Sequence, residues 1–206
     1  MTINTSSSLL GSLYDLITRP FMPAPDHAII VQAKKMEARK IVDLCCGTGR
    51  LAIKMNLEGF RVKGVDTNEA YLATAAANSP GGIDFFTEDA TKTHFESSYA
   101  DMTIISFGLH AQNPEVGIGI FSEAMRITRR GGVIAVLDYM PETTFTLART
   151  VIGIIERLAG GVHYGKYRRF ISRGGLPEFL RELSIEAQPD KTFFTRNVGL
   201  YFITKQ

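Results

Sequence analysis

Asp43 and Asp66 each sit at the end of an apolar run, and the small residues Cys45, Cys46, Gly47, Thr48 and Gly49 follow the first of them. Read as neighbouring parallel strands, the two runs bring both carboxylates to one crevice with a glycine turn between. Such a turn lets a ligand lie against bare backbone, because Gly47 and Gly49 have no side chain to exclude it. An acid at the second strand end suits the hydroxyls of a ribose. The chemistry expected here is the binding of a nucleoside.

Two cofactor classes meet that requirement. Gly47-x-Gly49-x-x-Ala52 satisfies the dinucleotide fingerprint, which keeps a nicotinamide oxidoreductase open. Asp43 weighs against it. A carboxylate just before the turn repels a pyrophosphate, whereas S-adenosylmethionine carries an ammonium and a sulfonium that it attracts. A tight strand-to-helix turn without any ligand is the plain alternative.

From Asp43 through Gly49 the chain resembles the first motif of the class I S-adenosylmethionine-dependent methyltransferases, with Cys45 where glycine or alanine is usual. The resemblance continues through Gly64-Val65-Asp66-Thr67-Asn68, Thr87-Glu88-Asp89-Ala90, residues 100–110 and residues 129–138. It implies that Asp43, Cys45, Gly47 and Gly49 line the methionine side. It likewise implies that Asp66, with Thr67 and Asn68, binds the ribose, that Asp89 and Ala90 meet the adenine, and that Ser106 borders the site. Tyr14-Asp15 is similar to a pair near the start of the quinone-biosynthesis members, where this region folds over the cofactor; Tyr14 reads equally as a core residue.

The elements that must position these residues alternate. Apolar runs at 40–46, 61–66, 83–88, 102–107 and 132–138 read as strands buried on both faces. Helices fit between them, one starting at Asn68 and Glu69, another near 26–39, and a third capped by Asn113-Pro114-Glu115 and stopped at Gly131-Gly132. Residues 184–188 and 198–204 read as two further strands. The expected fold is α/β: a Rossmann-like, mostly parallel seven-stranded sheet with helices on both faces and an antiparallel C-terminal strand. Residues 1–39 form an N-terminal helical lid, 40–140 the cofactor core, 141–183 a helical cap and 184–206 the terminal strands, all in one domain.

Composition narrows the setting. A hydrophobic fraction of 45% supports a sizeable core, and a formal charge of +2 gives no reason to expect a nucleic-acid partner. The chain has no signal-like leader and no long apolar run, and its two adjacent cysteines lack bridging or metal-ligand spacing. A cytoplasmic protein without a metal site is expected.

Methyl transfer asks a protein mainly to orient two reactants and exclude water, with a base only where the acceptor holds a proton. His110, after the fourth strand and with an unperturbed pKa of about 6.5, is the first candidate base. Asp138 or Tyr139, with His163, Tyr164 and Tyr167 from the cap, follow. In the cap, Phe145, Ala148, Ile152, Ile155 and Leu158 form an apolar stripe that Leu147, Val151 and Ile154 widen. Beyond it, Lys166, Arg168 and Arg169 read as a basic turn for a phosphate or an anionic membrane surface, or as a solvated turn. Ser106-Phe107-Gly108-Leu109-His110 lacks the proline pair of nucleobase enzymes. The order of motifs looks more like the ubiquinone/menaquinone C-methyltransferases and small bacterial phospholipid N-methyltransferases, which implies a quinol-type or phospholipid amine acceptor. A non-catalytic adenosylmethionine-binding protein is the further alternative.

Overall fold

The computed structural model describes residues 22–141 and 147–206. Tyr14, the helical run 9–17 and Phe145 lie outside them.

Five strands run parallel: β1 (Lys40–Leu44), β2 (Arg61–Asp66), β3 (Asp84–Thr87), β4 (Ala100–Ser106) and β5 (Thr128–Tyr139). The antiparallel β7 (Val198–Thr204) pairs with β5, and β6 (Lys191–Phe193) closes the edge against it. The seven-stranded sheet has the order β3-β2-β1-β4-β5-β7-β6. Strand order reverses between β1 and β4, and in open α/β sheets the ligand crevice forms at that switch, beyond the carboxyl ends of the strands.

Both faces of the sheet are covered. Ile41, Met102, Ile104, Val133, Ala135 and Leu137 pack beneath α1 (Pro23–Lys35) and α2 (Arg50–Leu57), through Ile29, Ala33, Leu51 and Met55. Their strand neighbours Val42, Leu44, Val65, Ile105, Ile134 and Val136 face the other way. They meet α4 (Pro114–Ile127) and α7 (Gly175–Glu182), through Ile120, Phe121, Ala124, Phe179 and Leu180. Side chains alternate across a strand, so a strand buried on both faces must be apolar throughout. The helix α3 (Glu69–Asn78) starts where expected, with Asn68 Oδ1 accepting from the N–H groups of Ala70 and Tyr71 at 3.1 and 3.2 Å. The cap holds α5 (Leu147–Leu158) and α6 (Gly161–Ser172). Among the described residues, no helix is long and apolar enough to cross a membrane.

Four expectations are corrected. The helix placed near 26–39 runs from Pro23 to Lys35, because Pro23 and Pro25 fit a first turn whose N–H groups need no partner. The helix α4 ends at Ile127 rather than at Gly131: Thr128 Oγ1 donates to Ala124 O at 2.7 Å, and β5 begins there. Residues 129–132 instead form an irregularity in β5 where the register against β4 shifts, and a Cβ on Gly132 would stand 2.7 Å from Asp101 O. Residues 184–188 are not a strand. Ser184 takes φ +60° and Ile185 N donates to Leu180 O at 2.9 Å, which caps α7, so the apolar Ile185 serves a helix end. Lastly, residues 166–169 lie within α6 rather than in a turn.

Candidate functional site

The turn after β1 is held by the residues that flank it. Cys46 N donates to Val65 O at 3.0 Å, and Gly47 N donates to Asp66 Oδ2 at 2.8 Å. Asp66 Oδ1 also accepts from Asn68 N at 2.9 Å. One carboxylate thus ties the glycine turn to the start of α3. Cys45, Gly47 and Gly49 all take positive φ, of 60°, 55° and 74°. A Cβ on Gly47 would meet nothing within 4 Å, so its open face borders the crevice. At Gly49 the same atom would stand 2.8 Å from Ala75 Cβ and 2.9 Å from Phe85 Cζ. Gly49→Ala therefore combines a strained φ with overpacking, together about 2–4 kcal/mol. The expected thermal midpoint is roughly 4–16 °C below wild type; an unshifted melt removes the packing argument.

Asp43 is 2% exposed. Burial pushes its carboxyl up to about 7, Arg50 opposes this, and Asp66 and Asp26 reinforce it. A buried carboxylate poised to ionise near neutrality gains most from an arriving cation. Ser106 Oγ, at the end of β4, is buried with no hydrogen-bond partner among the described residues. The open Gly47 face, the underneutralised Asp43 and the orphan Ser106 hydroxyl all fit a cationic nucleoside cofactor. Burial, with the nearby Asp43 and Asp66, raises both thiols well above their ordinary range, so the free Cys45 and Cys46 are packing residues. Cys45 fills the space over Gly108, where a Cβ would stand 2.9 Å from its own.

Asp89 is exposed, and its Oδ1 accepts from Thr91 N at 2.8 Å in a local turn; Ala90 beside it is buried and Thr67 exposed. Sequence reading missed Asp26, a buried acid on α1. It pairs with Arg50 at the first position of α2 and with Lys54 at 2.5 Å, and so seats the start of that helix.

Four of the five expected catalytic residues gather at the end of β5. His110 lies 4.8 Å from Tyr139, 5.3 Å from His163 and 6.2 Å from Tyr167, ring centre to ring centre. Tyr164 stands further out, 6.1 Å from Tyr167 and beneath the Arg157 guanidinium at 4.6 Å. His110 is 1% exposed, its Nδ1 2.8 Å from Asp138 Oδ1 and its Nε2 3.5 Å from Glu156 Oε2. Burial opposes its charge, but the two carboxylates outweigh it and push the imidazole up to about 10. The two carboxylates favour the charged form and the ring is enclosed, and both weigh against His110 as a general base.

Glu156 was not singled out from sequence. Fully buried on α5, it accepts from Tyr139 Oη at 2.6 Å and lies 2.7 Å from His163 Nε2, and His110 holds its carboxyl far below the usual range against the cost of burial. A carboxylate one turn from Ile152, inside an apolar stripe, was the available signal. That stripe is narrower than it reads: Ile152 and Ile155 are buried, whereas Val151, Ile154 and Leu158 are exposed.

Beside this cluster lies a cavity of about 370 Å³, walled by Tyr139, Ile152, Tyr164, Tyr167 and Ile171 with Arg149, Arg157 and Arg168 at its polar side. Lys166 and Arg169 line a separate, smaller hollow with Gln112 and Phe170. The helix divides the three cations that sequence grouped.

Comparison with known proteins agrees with this geometry. Residues 41–132 match the family described as a methyltransferase domain. A provisionally named methyltransferase of Geobacillus sp. (strain WCH70) is 38% identical over 82 residues, 38% of this chain and 33% of that protein. A demethylmenaquinone methyltransferase of Leptospira interrogans is 34% identical over 107 residues, 48% of this chain and 42% of that one. The chain thus spans less than half the length of these relatives. A provisionally named S-adenosyl-L-methionine-dependent methyltransferase structure from Methanococcus maripaludis superposes with a TM-score of 0.67 at 16% identity, covering 100% of this chain and 97% of that one, which establishes the shared fold. The glycine turn, its two flanking acids and the switch point all lie within residues 41–132, the segment that matches the methyltransferase domain.

Proposed function

We propose that the chain transfers the methyl group of S-adenosylmethionine to a small amphipathic acceptor carrying an anionic group. The observation that carries this reading is the 370 Å³ cavity, where tyrosine and isoleucine walls face three arginines at the carboxyl end of β5. Asp43 would meet the cationic methionine end of the cofactor, the Gly47 backbone would admit it, and Asp66 would accept from the ribose. When bound, the cofactor supplies an electrophilic methyl. The chain's part is to orient the acceptor against it and keep water out. The tyrosine faces would hold an aromatic or cationic acceptor, and the arginines its anionic end.

The likeness to a relative named demethylmenaquinone methyltransferase favours a quinol-type acceptor. A phospholipid amine is the second reading. It is favoured by the exposed apolar row Val151, Ile154, Leu158 and Val162 on α5 and α6, beside Arg157, which suits the surface of an anionic membrane. The test is transfer of labelled methyl from S-adenosylmethionine to quinols, phosphatidylethanolamine vesicles and aromatic acids. Arg168→Gln should raise KM for an anionic acceptor roughly 10-fold or more, the loss of one charge-assisted bond. Lys166→Gln with Arg169→Gln should leave it unchanged, because those side chains face the other hollow. Equal effects from both would move the acceptor out of the cavity, and no transfer to any acceptor while cofactor binds would make this a binding protein.

A further inference from the structure

We propose that His110 Nε2, Glu156 Oε2 and His163 Nε2 form a site for one divalent transition-metal ion of the zinc class. The three atoms lie within 4.8 Å of one another, with Glu156 Oε2 3.5 Å from His110 Nε2 and 2.7 Å from His163 Nε2. Nitrogen and oxygen donors bind zinc at about 2.0–2.2 Å, so neighbouring donors around one ion stand roughly 3–3.6 Å apart. The His110–Glu156 edge already has that length. The His163–Glu156 edge must open by under about 1 Å and the His110–His163 edge, at most 4.8 Å, must close toward the same length, both changes falling on His163, the partly exposed member.

The surroundings of the three groups are those of a metal centre. Asp138 Oδ1, 2.8 Å from His110 Nδ1, holds a proton there and orients Nε2 toward the other two groups, where an arriving ion would displace the second proton of the imidazolium. Tyr139 Oη donates to Glu156 Oε1 at 2.6 Å, so that Oε2 is the oxygen facing both imidazoles. Ligands whose far atoms are held by a carboxylate or hydroxyl in this way are oriented before the ion arrives. A further sign is His110 Nε2 itself, buried and, among the described residues, with no hydrogen-bond partner, Glu156 Oε2 standing 3.5 Å away. Such an orphan is rare in a core unless something completes it. Two imidazoles and one carboxylate select zinc, cobalt or iron over calcium or magnesium, and leave a coordination position open. Tyr139 and Tyr167, which pack on His110, also wall the cavity, so the ion would stand at its edge. The inference is independent of which acceptor that cavity takes.

The full chain, stripped with a chelator and dialysed, is titrated with Co²⁺ and separately with Zn²⁺. The expected result is one equivalent of Co²⁺ with visible bands of four- or five-coordination, and a thermal midpoint that rises with Zn²⁺. His163→Ala should lose more than about 100-fold in affinity, beyond what removal of an outer partner alone produces. Its far-ultraviolet spectrum should be unchanged. His94→Ala, which removes a partly exposed imidazole beside Glu88, should bind like wild type. Absence of stoichiometric binding, or equal binding by His163→Ala, overturns the site and leaves the three groups as a proton-linked network.

Discussion

Asp43→Asn is expected to bind S-adenosylmethionine roughly 10–100-fold more weakly than wild type, yet to unfold at a higher temperature without ligand. Both effects follow from one buried carboxyl whose pKa is raised from 3.8 to about 7. The unfolded chain ionises this group near pH 4, the folded chain only near 7. Between these values the folded state binds more protons, so the stability of the free protein falls as pH rises from about 4 to about 7 and levels off above. About three pKa units correspond to roughly 4 kcal/mol, the penalty of ionising Asp43 inside the fold. A neutral amide of the same shape removes the charge and recovers part of it, several degrees in thermal midpoint.

The cofactor reverses the sign. A cationic ligand favours the ionised carboxylate, so wild-type affinity should climb between pH 5.5 and 7 and then flatten, whereas the asparagine variant should show no such climb. Calorimetric titration across that range, with thermal melts of both proteins, checks the two halves together. An asparagine variant with wild-type affinity would remove Asp43 from the cofactor site. A variant no more stable than wild type at pH 8 would mean that the buried charge is already compensated.

How far the sequence revealed this arrangement depends on how local each signal was. The parallel strands were legible because burial on both faces demands unbroken apolar runs, and the β1 turn because Asp43, Gly47 and Asp66 act within a short stretch. Asn68 was legible as a cap for the same reason. Residues 129–132 and 184–188 were misread where one signal serves two ends. A glycine pair that terminates helices also permits a bulge, and Ile185 can cap a helix as well as face a sheet. The cluster around His110 was hidden for a different reason. Glu156 and His163 come from two cap helices, and only the packing of the cap on β5 brings them to His110, so no spacing of the kind that marks a metal motif exists along the chain.

Asp138→Asn should destabilise the metal-free protein by about 3–5 kcal/mol, the cost of breaking a buried ion pair from one side. The reason is the number of donors converging on this one fully buried carboxylate. Its Oδ2 accepts from the backbone N–H groups of Leu109 and His110 at 3.0 and 3.2 Å. Its Oδ1 accepts from Tyr139 N at 2.7 Å and faces His110 Nδ1 at 2.8 Å. An asparagine must turn an amide toward donors, and it no longer neutralises an imidazolium that cannot reach water. The midpoint of a chain this size should fall by roughly 6–20 °C. Loss of packing alone would also lower it, so the discriminating measurement is a double-mutant cycle with His110→Gln. If the carboxylate and the imidazole stabilise each other, the double variant should be less damaged than the two single costs added, by more than about 1 kcal/mol. Additive costs would mean that Asp138 acts through the backbone N–H groups alone, as an anchor for residues 107–110 at the crevice wall. Coupling would mean that the same carboxylate shapes the loop and sets the charge of the cluster behind it.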